Sequence, residues 1–130
     1  MIILSIRTDK PEAEIGLYDD HHQIAYDTWL AHRQLGATIH ARIAALLGRR
    51  GYTLQDMQGI VCFQGPGSFT GLRIGITVAN ALAYALHIPT IARSSSHWLE
   101  AGITALLGGE REPLPEPSYG TPAATPPLQK

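Results

Sequence analysis

The chain has little of what marks a disulfide-bonded, metal-binding or nucleic-acid-binding protein. Its 130 residues include one cysteine, Cys62, so no intramolecular disulfide can form, and its apolar surroundings predict a small buried side chain. The six histidines contain no His-x-x-x-His pair, and no zinc site is predicted. A formal net charge of −1 gives no basic surface for independent nucleic-acid binding.

Two further absences bear on location. The first residues lack the basic region and the length of a signal peptide, and the sequence predicts no membrane-spanning segment. A cytoplasmic protein without a membrane contact is therefore expected. The length allows one domain at most, and a hydrophobic content of 45% is ordinary for a globular chain.

The spacing of apolar residues predicts an α/β fold, with a mixed β-sheet and helices packed on it. The predicted strands cover residues 2–7, 13–18, 23–29, 60–63 and 89–92, and the predicted helices cover residues 34–50, 70–86 and 95–107. A turn at residues 19–22 makes a hairpin of the second and third strands. Gly51 is placed to end the first helix, and Thr53 with Asp56 resembles a capping box.

The end of the chain differs in composition from the rest. Residues 110–130 contain six of the nine prolines, so we expect a disordered or extended tail after a domain at residues 1–109. A role as a peptide ligand is the alternative for this tail. Its composition favours a naturally short protein over a fragment of a longer one.

The most informative segment is a glycine-rich string between a strand and a helix. It begins Gly65-Pro66-Gly67-Ser68-Phe69-Thr70-Gly71 and continues through Arg73 to Gly75. Free N–H groups at a helix N-terminus could bind an anion, but the string matches neither a Walker A loop nor a dinucleotide fingerprint. Leu72 stands where Walker A needs lysine, and the third glycine comes one residue late for the fingerprint. The pattern favours the alternative, a tight strand-to-helix turn without a ligand.

Three side chains of the string could have roles of their own. Ser68 and Thr70 could be nucleophiles, yet no sequence feature supplies a base, so capping of the helix is the favoured role. Arg73 either bonds a loop carbonyl or pairs with an acidic group on a partner, and the sequence leaves both open. No residue of the string is therefore predicted to be catalytic.

The whole string resembles the signature of the TsaB (YeaZ) family, the partners of the enzyme that adds threonylcarbamoyl to an adenosine beside the tRNA anticodon. The resemblance covers roughly residues 1–105, including the opening strand at 1–6, the turn at 54–60, Ile88-Pro89 and the serines at 94–96. It implies one lobe of the two-lobed actin/Hsp70/sugar-kinase-like fold, with the second lobe absent. It also implies a noncatalytic accessory subunit that binds and supports a TsaD-like catalytic subunit.

The chain departs from the family pattern at two places. Actin-like ATPases carry an aspartate in the turn of the first strand, but Arg7 stands there, with Asp9 two residues on. Leu35-Gly36 replaces the His-Ser that is often found where the first helix begins. Because a cation cannot hold magnesium and the cleft would have one wall, we expect no cofactor, no metal and no productive ATP binding by this chain alone.

The first two long helices carry the hypothesis of a partner-binding face. The second helix is apolar around most of its circumference, which predicts burial on several sides, and its polar residues form one heptad-like stripe. The first helix has five leucines and isoleucines on one face and small residues opposite them, which lets another helix approach closely. The alternative is that these residues pack the helices together and onto the sheet. Tryptophan at Ala41 and Ala83 would test the face. The hypothetical interface consists of Ala37, Ala41, Ala44, Ala45, Gly48, Arg73, Thr77, Asn80, Tyr84 and His87.

The resemblance also implies partners. We expect a TsaD-like catalytic subunit, a homodimer in its absence, a third ATPase subunit as a further member, and only indirect contact with tRNA. Two rivals belong to other classes of protein. One is a homodimeric structural module without a modification role, and the other is a small ATPase- or peptidase-like enzyme, which a turnover assay would identify.

Overall fold

The computed structural model describes residues 1–111, apart from the side chain of His32, so the predicted tail at 110–130 lies almost wholly outside the described residues. The order of the elements agrees with the prediction, and their bounds differ by a few residues. The strands are β1 (Ile2–Arg7), β2 (Glu12–Asp19), β3 (His22–Leu30), β4 (Gly59–Phe63) and β5 (Thr90–Arg93), and the helices are α1 (Leu35–Gly48), α2 (Phe69–Leu86) and α3 (Trp98–Leu107).

The five strands form one mixed sheet in the order β3-β2-β1-β4-β5, which confirms the predicted architecture. β1, β2 and β3 form an antiparallel meander, and β4 and β5 run parallel to β1. The chain passes through α1 before β4 and through α2 before β5, because parallel strands need a crossover. The carboxyl ends of β1 and β4 therefore lie side by side, and the turn after β1 meets the loop after β4.

α1 and α2 cover one face of the sheet. The five leucines and isoleucines predicted to share one side of α1 are all buried there, in one cluster with Leu4 and Ile6 of β1. Trp29 Nε1 of β3 donates a hydrogen bond of 3.0 Å to Thr38 Oγ1 of α1, which fixes the helix over the meander. The opposite side of α1, with its small residues, faces away from the sheet.

α3 covers the other face of the sheet, over β4 and β5. Gly102 lies so close to β4 that a Cβ at this position would come within 2.3 Å of Val61 Cγ1. The rings of Phe63 and Trp98 meet edge to face with their centroids 5.7 Å apart. A side chain at position 102 would push α3 away from these contacts.

Two local predictions are confirmed. Thr53 and Asp56 form a capping box around a 3₁₀ turn at Leu54–Asp56. Cys62 is buried, and burial raises the pKa of its thiol to about 12. A thiol that stays protonated at neutral pH is a packing side chain and not a nucleophile.

α2 corrects two expectations. Its 18 residues are long and apolar enough, by length and composition alone, to cross a membrane, contrary to the prediction that no segment could. A core helix of a soluble protein meets the same criterion, and α2 packs on the sheet through Ile76, Val78 and Ala79. The sequence of α2 also predicted burial on several sides, whereas the buried residues lie along one side.

We expect Gly102→Ala to lower the free energy of unfolding by about 1–3 kcal/mol, because the added methyl group overpacks the contact with Val61. Gly48→Ala is the matched control. No atom lies within 4 Å of a Cβ at position 48, so the better helix propensity of alanine should raise stability by about 0.5 kcal/mol. Urea denaturation of the full chain measures both variants, and equal effects would contradict the close packing of α3.

Candidate functional site

The glycine-rich string at residues 65–75 forms a tight turn between β4 and α2. Gly65 has a φ of +113° and precedes a cis peptide bond to Pro66, and α2 begins at Phe69 with Ser68 in the N-cap position. Of the four glycines in the string, Gly65 alone adopts a left-handed backbone conformation. The other three are glycines for a different reason.

That reason is the turn after β1, which lies directly against the string. A Cβ at Gly67 would come within 2.5 Å of Asp9 Cβ, and one at Gly71 within 2.1 Å of the Thr8 carbonyl oxygen. A Cβ at Gly75 would come within 2.1 Å of Thr8 Oγ1. The spacing of four residues places these three glycines along one side of the helix start, and we call them the glycine row.

Hydrogen bonds hold the turn and the glycine row together. Thr8, which is 1% exposed, donates from Oγ1 to the carbonyl oxygen of Gly71 over 2.7 Å. The Ser68 amide donates to the Asp9 carbonyl oxygen over 3.2 Å. Packing between segments 63 residues apart therefore accounts for the glycine row without a ligand.

Arg7 and Asp9 form an ion pair at the end of β1. Arg7 Nε lies 2.8 Å from Asp9 Oδ1, and Arg7 Nη2 lies 3.3 Å from Asp9 Oδ2. The guanidinium lies 4.2 Å from the centroid of the Phe63 ring. The hydrogen bond to Asp9 raises the pKa of Arg7. Each charge is therefore hydrogen-bonded to the other, in a two-bond arrangement.

The prediction that Ser68 or Thr70 caps α2 is confirmed for the position of Ser68 but not for a side-chain cap. Ser68 occupies the N-cap position, but its side chain makes no cap hydrogen bond, and Thr70 lies inside the first turn. Both side chains are exposed, and no histidine or carboxylate among the described residues hydrogen-bonds to either. No three or more His, Cys, Asp or Glu side chains within residues 1–111 are grouped to hold a metal ion. A nucleophile needs a base, and neither hydroxyl has a hydrogen-bonded base among residues 1–111.

α1 and α2 lie side by side on the sheet and present an exposed surface, which we call the helix face. The five small residues of α1 are all exposed, so they do not pack the helices together or onto the sheet. Tyr84 of α2 is 81% exposed. The helix face consists of Ala37, Ala41, Ala44, Ala45 and Gly48 of α1 with Arg73, Thr77, Ala81, Tyr84 and Ala85 of α2.

Sequence reasoning missed Ala81 and Ala85, which follow Thr77 at steps of four residues on the same side of α2. That spacing could have indicated them, but in a helix that is apolar nearly all round an alanine gives no signal of its own. Asn80 is half-buried at the border of the face, and Ala83 is 5% exposed within the core. Tryptophan at position 83 would therefore disrupt the core, and position 81 is the better probe.

His87 was predicted to continue the polar stripe of α2, but it lies at the C-terminal end of the helix. His87 is exposed and caps the helix with a left-handed φ of +58°, and its backbone amide donates to the Tyr84 carbonyl oxygen. This conformation turns the chain toward β5, so His87 lies at the end of the helix face and not along it.

Arginines flank the helix face. Arg42 Nη1 lies 3.3 Å and Arg49 Nη2 lies 3.7 Å from Asp27 Oδ2 of β3. Near the starts of both helices, a cavity of about 290 Å³ is lined by Lys10 and Arg33 among others. Neither of these two cations has a carboxylate partner within the described part of the chain. The surroundings of the face are therefore positively charged.

The chain is similar to two kinds of tRNA-modification protein. A family model described as TsaD: tRNA N6-adenosine threonylcarbamoyltransferase matches residues 29–114. The tRNA threonylcarbamoyladenosine biosynthesis protein TsaB of Bacillus subtilis is 39% identical over 102 residues, which cover 78% of this chain and 44% of that protein. The tRNA N6-adenosine threonylcarbamoyltransferase of Ralstonia pickettii is 32% identical over 132 residues, which cover 88% of this chain and 37% of that protein.

A solved structure has a similar fold over most of this chain. YeaZ from Pseudomonas aeruginosa superposes with a TM-score of 0.66 at 28% identity, covering 72% of this chain and 43% of that chain. The likeness confirms the prediction of a single lobe of the actin-like fold. The chain spans less than half the length of these relatives.

The packing of the glycine row is testable with two neighbouring substitutions. Gly71→Ala should lower the free energy of unfolding by about 3 kcal/mol, because its methyl group meets the Thr8 carbonyl oxygen, a backbone atom that cannot swing away. Ser68→Ala should change stability by less than about 0.5 kcal/mol, since the Ser68 side chain makes no cap bond. Thermal and urea unfolding of both variants give the comparison, and a larger loss for Ser68→Ala would refute this assignment.

Proposed function

The chain belongs to the TsaB (YeaZ) family, and we propose that it is a noncatalytic accessory subunit in the threonylcarbamoyladenosine modification of tRNA. In this proposal the helix face binds a TsaD-like catalytic subunit, and that subunit supplies the transferase chemistry. The complex works in the cytoplasm, a third ATPase subunit joins it, and tRNA contacts the partners more than this chain.

The helix face is the observation that carries the proposal. Its small side chains let the helices of another protein approach closely. Tyr84 stands among them with 81% of its surface exposed. Tyrosine is enriched among residues that dominate binding energy, because it buries a large ring and keeps a hydroxyl for one hydrogen bond. A helix pair from a partner would bury Tyr84 and the small residues together.

The residues beside the glycine row support a noncatalytic role. The Arg7 cation and the Asp9 carboxylate neutralise each other at the place where an actin-like ATPase holds its metal and phosphates. Ser68 and Thr70 have no base among their described hydrogen-bond partners. The chemistry of transfer is therefore assigned to the partner.

Two other uses of the chain make different predictions. A small ATPase or peptidase would turn over substrate as the purified chain, which the paired Arg7 and Asp9 argue against. A homodimeric module would use the same helix face for a second copy and would have no effect on tRNA modification. Turnover assays and the mass of the chain in solution distinguish these uses from the proposed one.

Co-purification of the full chain with the TsaD-like protein of the same organism tests the proposal directly. A stable complex is expected, together with tRNA threonylcarbamoylation that requires this chain. Transferase activity that is complete without the chain, or the absence of any complex, would overturn the proposal.

The helix face itself is tested by enlarging its small residues. Ala41→Trp and Ala81→Trp should each weaken binding to the TsaD-like protein by at least about tenfold, because a bulky side chain separates closely packed helices. Ala101→Trp is the control, since Ala101 is exposed on α3 at the opposite face of the sheet. Titration calorimetry measures the affinities, and equal binding by all three variants would exclude the helix face as the interface.

A further inference from the structure

The charged side chains in and beside α1 and α2 are of one sign. Neither helix contains a single aspartate or glutamate. Arginines stand in both helices and beside α1, at positions 33, 42, 49, 50 and 73, and all five are exposed. Six of the carboxylates lie earlier in the chain, between residues 9 and 27, in the meander and its turns.

Local pairing removes only part of this positive charge. Asp27 lies within 4 Å of both Arg42 and Arg49, so one carboxylate serves two cations. Arg33, Arg50 and Arg73 have no carboxylate partner within residues 1–111. The helix face therefore keeps an excess of positive charge at its borders. The residues at its centre are uncharged, and most of them are small.

This distribution bears on what can cover the face. In a twofold homodimer each patch meets an identical patch, so both sides of the interface would carry the same excess of positive charge. Neither helix could supply a carboxylate to pair with the arginines. Like charges placed together cost binding energy and also slow the approach of the two surfaces.

We propose that the helix face selects a protein partner with an acidic pair of helices and disfavours a second copy of this chain. This inference rests on the proposed function and specifies the chemistry of the partner's surface. Carboxylates at the border of the partner's helices would pair with Arg50 and Arg73 around a centre where small residues and Tyr84 make the close contact. An RNA partner fits less well, because the centre of the face offers no cation to a phosphate backbone.

Reversal of two unpaired charges tests the inference. The double variant R50E/R73E should bind the TsaD-like protein about tenfold more weakly than the unaltered chain, because two attractive border contacts become repulsive. R111E is the control, since Arg111 is exposed but lies after α3 and outside the helix face. Binding of the unaltered chain should weaken as salt is raised from 50 to 300 mM, whereas self-association should be weaker than partner binding and should strengthen with salt.

The outcomes separate this inference from the function on which it rests. Binding of R50E/R73E with unchanged affinity would overturn the acidic partner and leave the accessory role standing. Self-association tighter than partner binding at 50 mM salt would do the same, as would tRNA binding by the isolated chain that R50E/R73E abolishes while partner binding stays unchanged. Failure of every variant and of the unaltered chain to bind would overturn the proposed function, and the inference with it.

Discussion

The contact between the Thr8 turn and the glycine row positions α2, and the arrangement of the rest of the lobe follows from it. Thr8 and Asp9 occupy the space that side chains at 67, 71 and 75 would fill, so α2 can start directly beside the carboxyl ends of β1 and β4. With its start fixed there, α2 lies on the sheet beside α1 and buries one side. The other side is exposed, and it completes the helix face.

The same turn also pairs the two charges at the end of β1. Arg7 and Asp9 stand on either side of Thr8, and they pair with each other while Thr8 packs against α2. The segment where an actin-like ATPase keeps its acidic residue thus has a structural role in this lobe: its two charges pair with each other, and Thr8 between them packs against α2. A lobe can keep the fold of an enzyme family in this way while the charges beside its first strand pair with each other.

The sequence predicts the order of the elements and the buried side of α1, because its leucines and isoleucines repeat at helical spacing. It also predicts Arg73, Thr77 and Tyr84 on the exposed side of α2, through their heptad-like spacing. It does not predict Ala81 and Ala85 there, since an alanine gives no contrast in a helix that is apolar nearly all round. The reason for Gly71 and Gly75 is also hidden, because the atoms that exclude a side chain belong to Thr8, far away in the chain. The missing cap of Ser68 has the same origin: local propensity predicted a cap, and the tertiary contact with Asp9 shaped the loop instead.

The positive and negative charges of this almost neutral chain lie in different parts of the molecule. Carboxylates gather in the meander and arginines around the two helices, so the molecule has a permanent electric dipole although its formal net charge is −1. In the field of a negatively charged body such a molecule rotates as it diffuses, until α1 and α2 point forward. Collisions with such a body then begin at the helix face, and charges placed this way raise the rate of association more than the lifetime of a complex.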